Sequence, residues 1–280
     1  MTPPTRAGEI AAIVRRESAE TLVGSSGGLR GGAVRALLWP AARLIAERFL
    51  RYDRALGDRG VVGGAEWIVR DATGGLDVRG AEHLPRDGPL LVVANHPGLS
   101  DAVSLLAALG RDDAWVVAAD YPFLHALRRA NRHFLFVPDG CAGRLVALRR
   151  IARRLRDRDA VLLFPAGALE PEPAIAPELA LSSLARWSRS IELFARLASD
   201  VRIVPAVVRG AVSLRAFEHP LARRRASPAD RQRVASLLQL AMHTYRRHPV
   251  SVRFGPPIAA RTPDLHAAVT ESMRDLLVCS

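Results

Sequence analysis

From about residue 65 onward, short apolar runs alternate with segments of helical periodicity, and this alternation constrains the fold more than any other feature of the chain. PLLVVAN (89–95), AWVVAA (114–119), HFLFVP (133–138), AVLLFP (160–165), VRIVPAVV (201–208) and VSVRFG (250–255) read as strands. Between them SDAVSLLAALG, PFLHALRRANR, GRLVALRRIARRLRDR and LSSLARWSRSIELFARLAS read as helices, with Leu145, Leu148, Ile151 and Leu155 marking one apolar stripe. A strand, a helix and another strand in succession is the pattern of parallel pairing. The expected fold class is therefore α/β: a single domain with a mostly parallel central sheet flanked by helices, preceded by an amphipathic N-terminal helical segment.

The N-terminal part reads differently. Residues 1–30 run into VGSSGGLRGG (23–32) and are expected to form a flexible extension. Residues 31–60 form a basic amphipathic segment in which Val34, Leu37, Leu38, Ala41, Leu44, Ile45 and Phe49 recur at helical spacing among arginines, with a kink expected at Pro40. Such a stripe suits an anionic bilayer surface and equally suits a helix packed on its own core. The remaining residues, 61–280, make up one large domain.

Composition narrows the partners. With 40 basic and 28 acidic residues the chain carries a net charge of +12, which favours polyanionic partners. All 40 basic residues are Arg, so choice of Arg over Lys carries no information about phosphate recognition. Aromatic residues make up 5% and form no basic, base-stacking strand, so nucleic acid is not expected and an anionic membrane surface or an acidic carrier is. No apolar run reaches the ~18–20 residues of a spanning helix, and the first twenty residues lack the apolar core of a secretory signal. Cys141 and Cys279 stand in no metal-like spacing, which fits a reducing, cytoplasmic setting, and no bound metal is expected.

Within LLVVANHPGLSDA (90–102), His96 and Asp101 are five residues apart. On a continuous helix that spacing separates side chains by about 140°. Pro97-Gly98 supplies a turn that removes the restriction and places Asp101 in the first turn of the next helix, where the macrodipole favours a carboxylate. An ionised Asp bonded to one imidazole nitrogen fixes the tautomer and leaves the other nitrogen free to take a proton from a hydroxyl. The spacing alone is a weak motif, since His266 and Glu271 repeat it inside a helical pattern. A plain strand, turn and helix cap at Ser100 or Asp101 would look similar.

Three further segments strengthen it. NHPGLSD resembles the Asn-His-x4-Asp first motif of the glycerolipid acyltransferases, the family that includes bacterial 1-acylglycerol-3-phosphate acyltransferase. LLFPAGALEP (162–171) resembles their third motif, Phe-Pro-Glu-Gly; RIVPAVVRG (202–210) resembles the fourth; and HFLFVPDG (133–140) falls where the second belongs. The resemblance covers roughly residues 75–255 and implies an acyltransferase domain that moves a fatty acyl group from acyl-CoA or acyl carrier protein to a lipid or glycerol hydroxyl, with no bound cofactor, peripheral on the cytoplasmic face of a membrane. It further implies that His96 is the general base, Asp101 its partner, and Asn95, Pro165 and Gly167 shape the site, Gly167 by letting backbone N–H groups approach a developing oxyanion.

Two positions depart from the pattern. Ala166 stands where the third motif has Glu, with Glu170 a replacement, and Asp139 stands near the second motif's phosphate-holding Arg, with Arg144, Arg128, Arg129 or Arg132 as substitutes. Two other readings compete: a non-catalytic lipid-binding protein of the same fold, and a serine hydrolase using Ser100 or Ser104. The second lacks a Gly-x-Ser-x-Gly elbow.

Overall fold

PLLVVAN lacks polar alternation because both faces of the strand it forms are covered. In a computed structural model, which describes residues 6–23, 39–98 and 100–278, strand β2 (Leu90–Ala94) is buried at all five positions. It lies between β5 (Ala160–Leu163) and β6 (Arg202–Arg209), parallel to both. Continuous apolar runs are what such doubly covered parallel strands require.

The sheet runs β1-β7-β6-β2-β5-β3-β4, with β1 (Leu76–Arg79), β3 (Ala114–Ala119), β4 (Phe134–Val137), β7 (Val250–Phe254) and a two-residue β8 (Ile258–Ala259) paired to β6. Strands β2 to β6 are mutually parallel, and β7 runs antiparallel to β6 while pairing in parallel with β1. All six expected strands are present. The two additional ones, β1 and β8, are four and two residues long, and β1 alternates half-buried with exposed residues.

The pleat sorts the central strands into two cores. Leu91, Val93, Val161, Leu163 and Ile203 face α4 (Cys141–Arg156), α5 (Ser190–Leu197) and α7 (Leu265–Val278), packing on Ile151, Leu155, Ile191, Phe194 and Met273. Leu90, Val92, Ala94, Leu162 and Val204 face α3 (Asp101–Leu109) and the second half of α2 (Trp39–Ala72), packing on Leu105, Leu106, Val61 and Ala65. Full burial of each large aliphatic side chain stabilises the fold by about 1.5–3 kcal/mol.

Helices differ from expectation in three places. The segment 181–199 is broken: a short helix, Pro177–Ser183, and a 3-10 turn end at Trp187, and α5 begins at Ser190. On α4 the buried stripe is Ala147, Ile151, Ala152 and Leu155, while Leu145 is exposed. Residues 6–23, expected within a flexible extension, form α1 (Arg6–Val23), with Ile10, Ala11 and Val14 buried against Ala42, Ile45 and Ala46 of α2. VGSSGGLRGG lies, beyond its first residue, outside the described residues, as do Val34, Leu37 and Leu38. The break in α2 falls at Gly60, whose φ of 75° suits a residue without Cβ, and not at Pro40, which sits in the first described turn. Of the expected stripe, Ile45 and Phe49 turn onto the protein's own core with Ala42 and Ala46, while Leu44 is exposed.

Candidate active site

Strand β2 ends at Ala94, opposite Ala206, while β6 runs on to Arg209, and a side chain takes over from the ladder. The Asn95 amide donates to the Val208 carbonyl at 3.0 Å and accepts from the Val208 N–H at 2.8 Å, extending the β2–β6 pairing past Ala94. This fixes the residue before His96. Pro97-Gly98 then turns the chain into α3; a Cβ on Gly98 would sit 3.1 Å from Val212 and 3.4 Å from Ala211, so the turn is tight.

Asp101 opens α3 and is fully buried. One carboxylate oxygen accepts from His96 Nδ1 at 2.8 Å and from the Gly98 N–H at 3.0 Å; the other accepts from the Ala102 N–H at 2.6 Å. Ser100 holds the cap position, but its hydroxyl donates to the Ala211 carbonyl and makes no cap bond. The bland and the chemical readings of this segment are thus both realised: a strand, a turn and a helix start deliver the imidazole to the carboxylate.

The His96 ring stacks on Phe164 with centroids 4.4 Å apart, and its side chain is 29% exposed. Nε2 has no protein partner among the described residues. Burial, the largest single influence, works against the charged ring, but the Asp101 charge and hydrogen bond and the Glu170 charge together outweigh it, so the pKa lies above that of an ordinary histidine. With Asp101 ionised, Nδ1 carries the proton and Nε2 is an acceptor open to solvent.

Glu170 is placed against the backbone of His96. Its Oε2 accepts from the His96 N–H at 3.0 Å while its own N–H donates to the His96 carbonyl at 2.8 Å. Ser183 Oγ (2.7 Å) and Trp187 Nε1 (2.8 Å) donate to Oε1, which is why the helical pattern breaks at Trp187. Burial raises the Glu170 pKa, and these hydrogen bonds hold the rise in check.

Two residues that sequence reasoning missed complete the frame. Gln232, on α6 (Pro228–Ala241), donates to the Pro97 and Glu170 carbonyls at 2.6 and 2.7 Å and accepts from the Glu172 N–H at 3.0 Å. Glu172 accepts from the N–H groups of Ala174, Gly210 and Val212, and burial pushes its pKa up to about 6. Loops after β2, β5 and β6 are thereby tied together. The second acid of LEPEP, set between prolines, was the one legible signal; Gln232 gave none.

Of the other expected residues, Pro165 and Gly167 form the turn after β5. Gly167, at φ 63°, donates its N–H to the Phe164 carbonyl at 3.1 Å, which closes the turn. The Ala166 methyl packs against the core on the α4 and α5 side of the sheet. Arg144 is exposed in the first turn of α4, after β4, three strands from β2, or about 14 Å along the sheet. Arg129 pairs with Asp58 at 2.7 Å on α2; Arg128 and Arg132 are exposed. None of the four has a described contact with His96. Ser104 is buried on α3, and neither it nor Ser100 bonds the imidazole. Cys141 is exposed at the start of α4, and Cys279 lies outside the described residues.

Residues 75–209 match the family model described as Acyltransferase, a span that contains His96, Asp101, Glu170 and Glu172 and stops before Gln232. No curated protein matches the chain. Among solved structures it is similar to the 1-acyl-sn-glycerophosphate (LPA) acyltransferase PlsC of Thermotoga maritima, at 15% identity over 97% of this chain and 92% of that one, with a TM-score of 0.48. Over residues 75–209, just under half of its length, the chain is similar to the acyltransferase family.

Proposed function

We propose that this chain transfers a fatty acyl group from an acyl thioester, acyl-CoA or acyl carrier protein, to a hydroxyl of a lysophospholipid, glycerol phosphate or related lipid acceptor, with His96 as general base. The observation that carries the reading is the 2.8 Å bond from Nδ1 to a buried carboxylate, with Nε2 left open. Nε2 takes the proton of the acceptor hydroxyl as its oxygen attacks the thioester carbonyl. Asp101 stabilises the imidazolium that forms. The carbon–sulfur bond then breaks, and the thiolate leaves with the proton returned by His96. A positioned base of this kind contributes roughly 10² to 10⁴ in rate.

Glu170 supports the base from behind, through the backbone, in a chain whose third motif has Ala166. No described helix is long and apolar enough to cross a membrane. The net charge of +12 suits a peripheral position on the anionic inner face of the cell membrane. Replacing His96 by Ala and following radiolabelled acyl transfer tests the assignment. Turnover should fall at least a hundredfold with folding intact, and unchanged turnover would sink it. Comparing lipids from cells with and without the protein then identifies the acceptor.

A further inference from the structure

Much of the stripe on α2 that matches a bilayer surface in sequence is covered by the protein itself: Ala42, Ile45 and Ala46 meet α1, and Val61 and Ala65 meet the sheet layer, while Leu44 is 56% exposed. A lipid-acylating enzyme still needs a way to its substrate. Large apolar residues are exposed at several places, among them Leu44 on α2, Leu214 and Leu221 after β6, and three beyond the strands on the other side of β2. Tyr121 follows β3 and is 55% exposed; Leu145 and Val146, in the second turn of α4 after β4, are 56% and 47% exposed. Strands β2, β5, β3 and β4 are successive and parallel, so His96, the Phe164–Gly167 turn, Tyr121 and the start of α4 stand along a single edge of the sheet. The row spans about 14 Å.

The same helix carries charge without acid partners. Arg153 pairs with Asp157, and Arg154 lies over Trp115 and pairs with Asp159. Arg149 and Arg150, exposed one turn beyond Leu145 and Val146, have no carboxylate partner among the described residues. Positions 145, 146, 149 and 150 share one side of a helix. An apolar tip bordered by uncompensated arginines matches a surface whose interior is hydrocarbon and whose headgroups are anionic.

We infer that the exposed side of α4, with Tyr121, is the face by which the protein docks on an anionic bilayer, setting the His96 edge of the sheet against the lipid. This rests on the acyl-transfer reading for its purpose but not for its test. Each Arg near an anionic leaflet multiplies partitioning about fivefold. The test is co-sedimentation of the full chain with vesicles of phosphatidylcholine alone or with a third phosphatidylglycerol. Arg149→Ala/Arg150→Ala should weaken binding to the anionic vesicles about twentyfold, and Leu145→Asp/Val146→Ser by at least as much. Arg86→Ala/Arg202→Ala removes the same charge at the opposite edge, where β2 and β6 begin, and should change binding less than threefold. Turnover of a short, water-soluble thioester with a monomeric acceptor should be unchanged in all three.

A second measurement uses the exposed thiol at the start of α4. In a Cys279→Ser background, an environment-sensitive fluorophore on Cys141 should shift to the blue with anionic vesicles and not with neutral ones. Equal losses in both arginine pairs, or a label that does not respond, would overturn the assignment. Unchanged vesicle binding together with lost turnover of acyl carrier protein would overturn it too, giving the face to an acidic carrier. If His96→Ala turned over normally, the reaction reading would fail while the vesicle result stood on its own.

Discussion

Asp101→Asn separates a base held by a carboxylate from a histidine that merely borders a turn. Asp101 is fully buried and accepts three hydrogen bonds, two on one oxygen and one on the other. An amide has one oxygen. If it faces His96 and Gly98, the amide nitrogen opposes the Ala102 N–H, and one buried bond is lost at a cost of about 1–3 kcal/mol in stability. If it faces Ala102, the amide donates to Nδ1 and drives the proton to Nε2, which can no longer accept. In both orientations the imidazolium loses its counter-charge, so kcat/KM should fall about 10²- to 10⁴-fold, or about 3–5 kcal/mol of barrier. The pH profile gives the sharper reading. His96 acts as a base only when neutral, so activity rises with pH through its pKa. The Asp101 charge and bond are the main influences holding that pKa up against burial, so their removal lowers it. The variant should show a lower plateau whose acid limb has moved to lower pH. The assay is thiol release from an acyl thioester between pH 5 and 9, with a denaturant melt for each protein. A plateau loss under fivefold, or an acid limb that stays in place, refutes the pairing.

Gln232→Leu keeps side-chain bulk but strips three hydrogen bonds from the Pro97, Glu170 and Glu172 backbone; we expect about 3 kcal/mol lost in urea melts and a roughly tenfold fall in kcat with KM little changed. Glu172 has its folded pKa raised from 4.5 to about 6, so its contribution to stability is fully present below 4.5 and is lost as pH rises through 6. The stability of wild type relative to Glu172→Gln should therefore drop by about 1.5 kcal/mol between pH 4.5 and 6.5, and a flat difference would contradict the burial that causes it. Restoring the family residue in an Ala166→Glu/Glu170→Ala double variant should leave activity as low as in Glu170→Ala alone. Position 166 packs toward the core, whereas Glu170 holds the His96 backbone; rescue by the double variant would show the two positions to be interchangeable.

What could be read from the sequence tracks how local its cause is. The central strands were legible because full coverage on both faces leaves a signature within five residues, as in LLVVA. Strand β1 was not, since Leu76–Arg79 has only two half-buried positions and takes its place from pairing with β7, over 170 residues later. The helix across 181–199 was overextended because periodicity could not register that the Trp187 indole turns inward to a buried carboxylate. His96 and Asp101 lie within six residues and were found. Glu170 was reached only as a replacement for a missing acid. Gln232 is an ordinary polar residue on an amphipathic helix, and its role exists only through loops more than sixty positions away.

The arrangement around His96 is costly in a way that bears on its use. Asp101, Glu170 and Glu172 are three carboxylates at or below 1% exposure near one strand end, and burying carboxylates is costly unless they are hydrogen-bonded. A fold under selection for stability alone would replace them with apolar residues of similar volume. Each is instead matched with donors: backbone N–H groups for Asp101 and Glu172; Ser183, Trp187 and the His96 N–H for Glu170. The bonds converge on the turn that carries His96 and leave its Nε2 edge unpartnered. A reacting hydroxyl must meet Nε2 within hydrogen-bond reach, and orientation errors of about 1 Å can lower rates a hundredfold. Rigid support from behind and an open front is the division of labour that a general base acting on an external substrate requires.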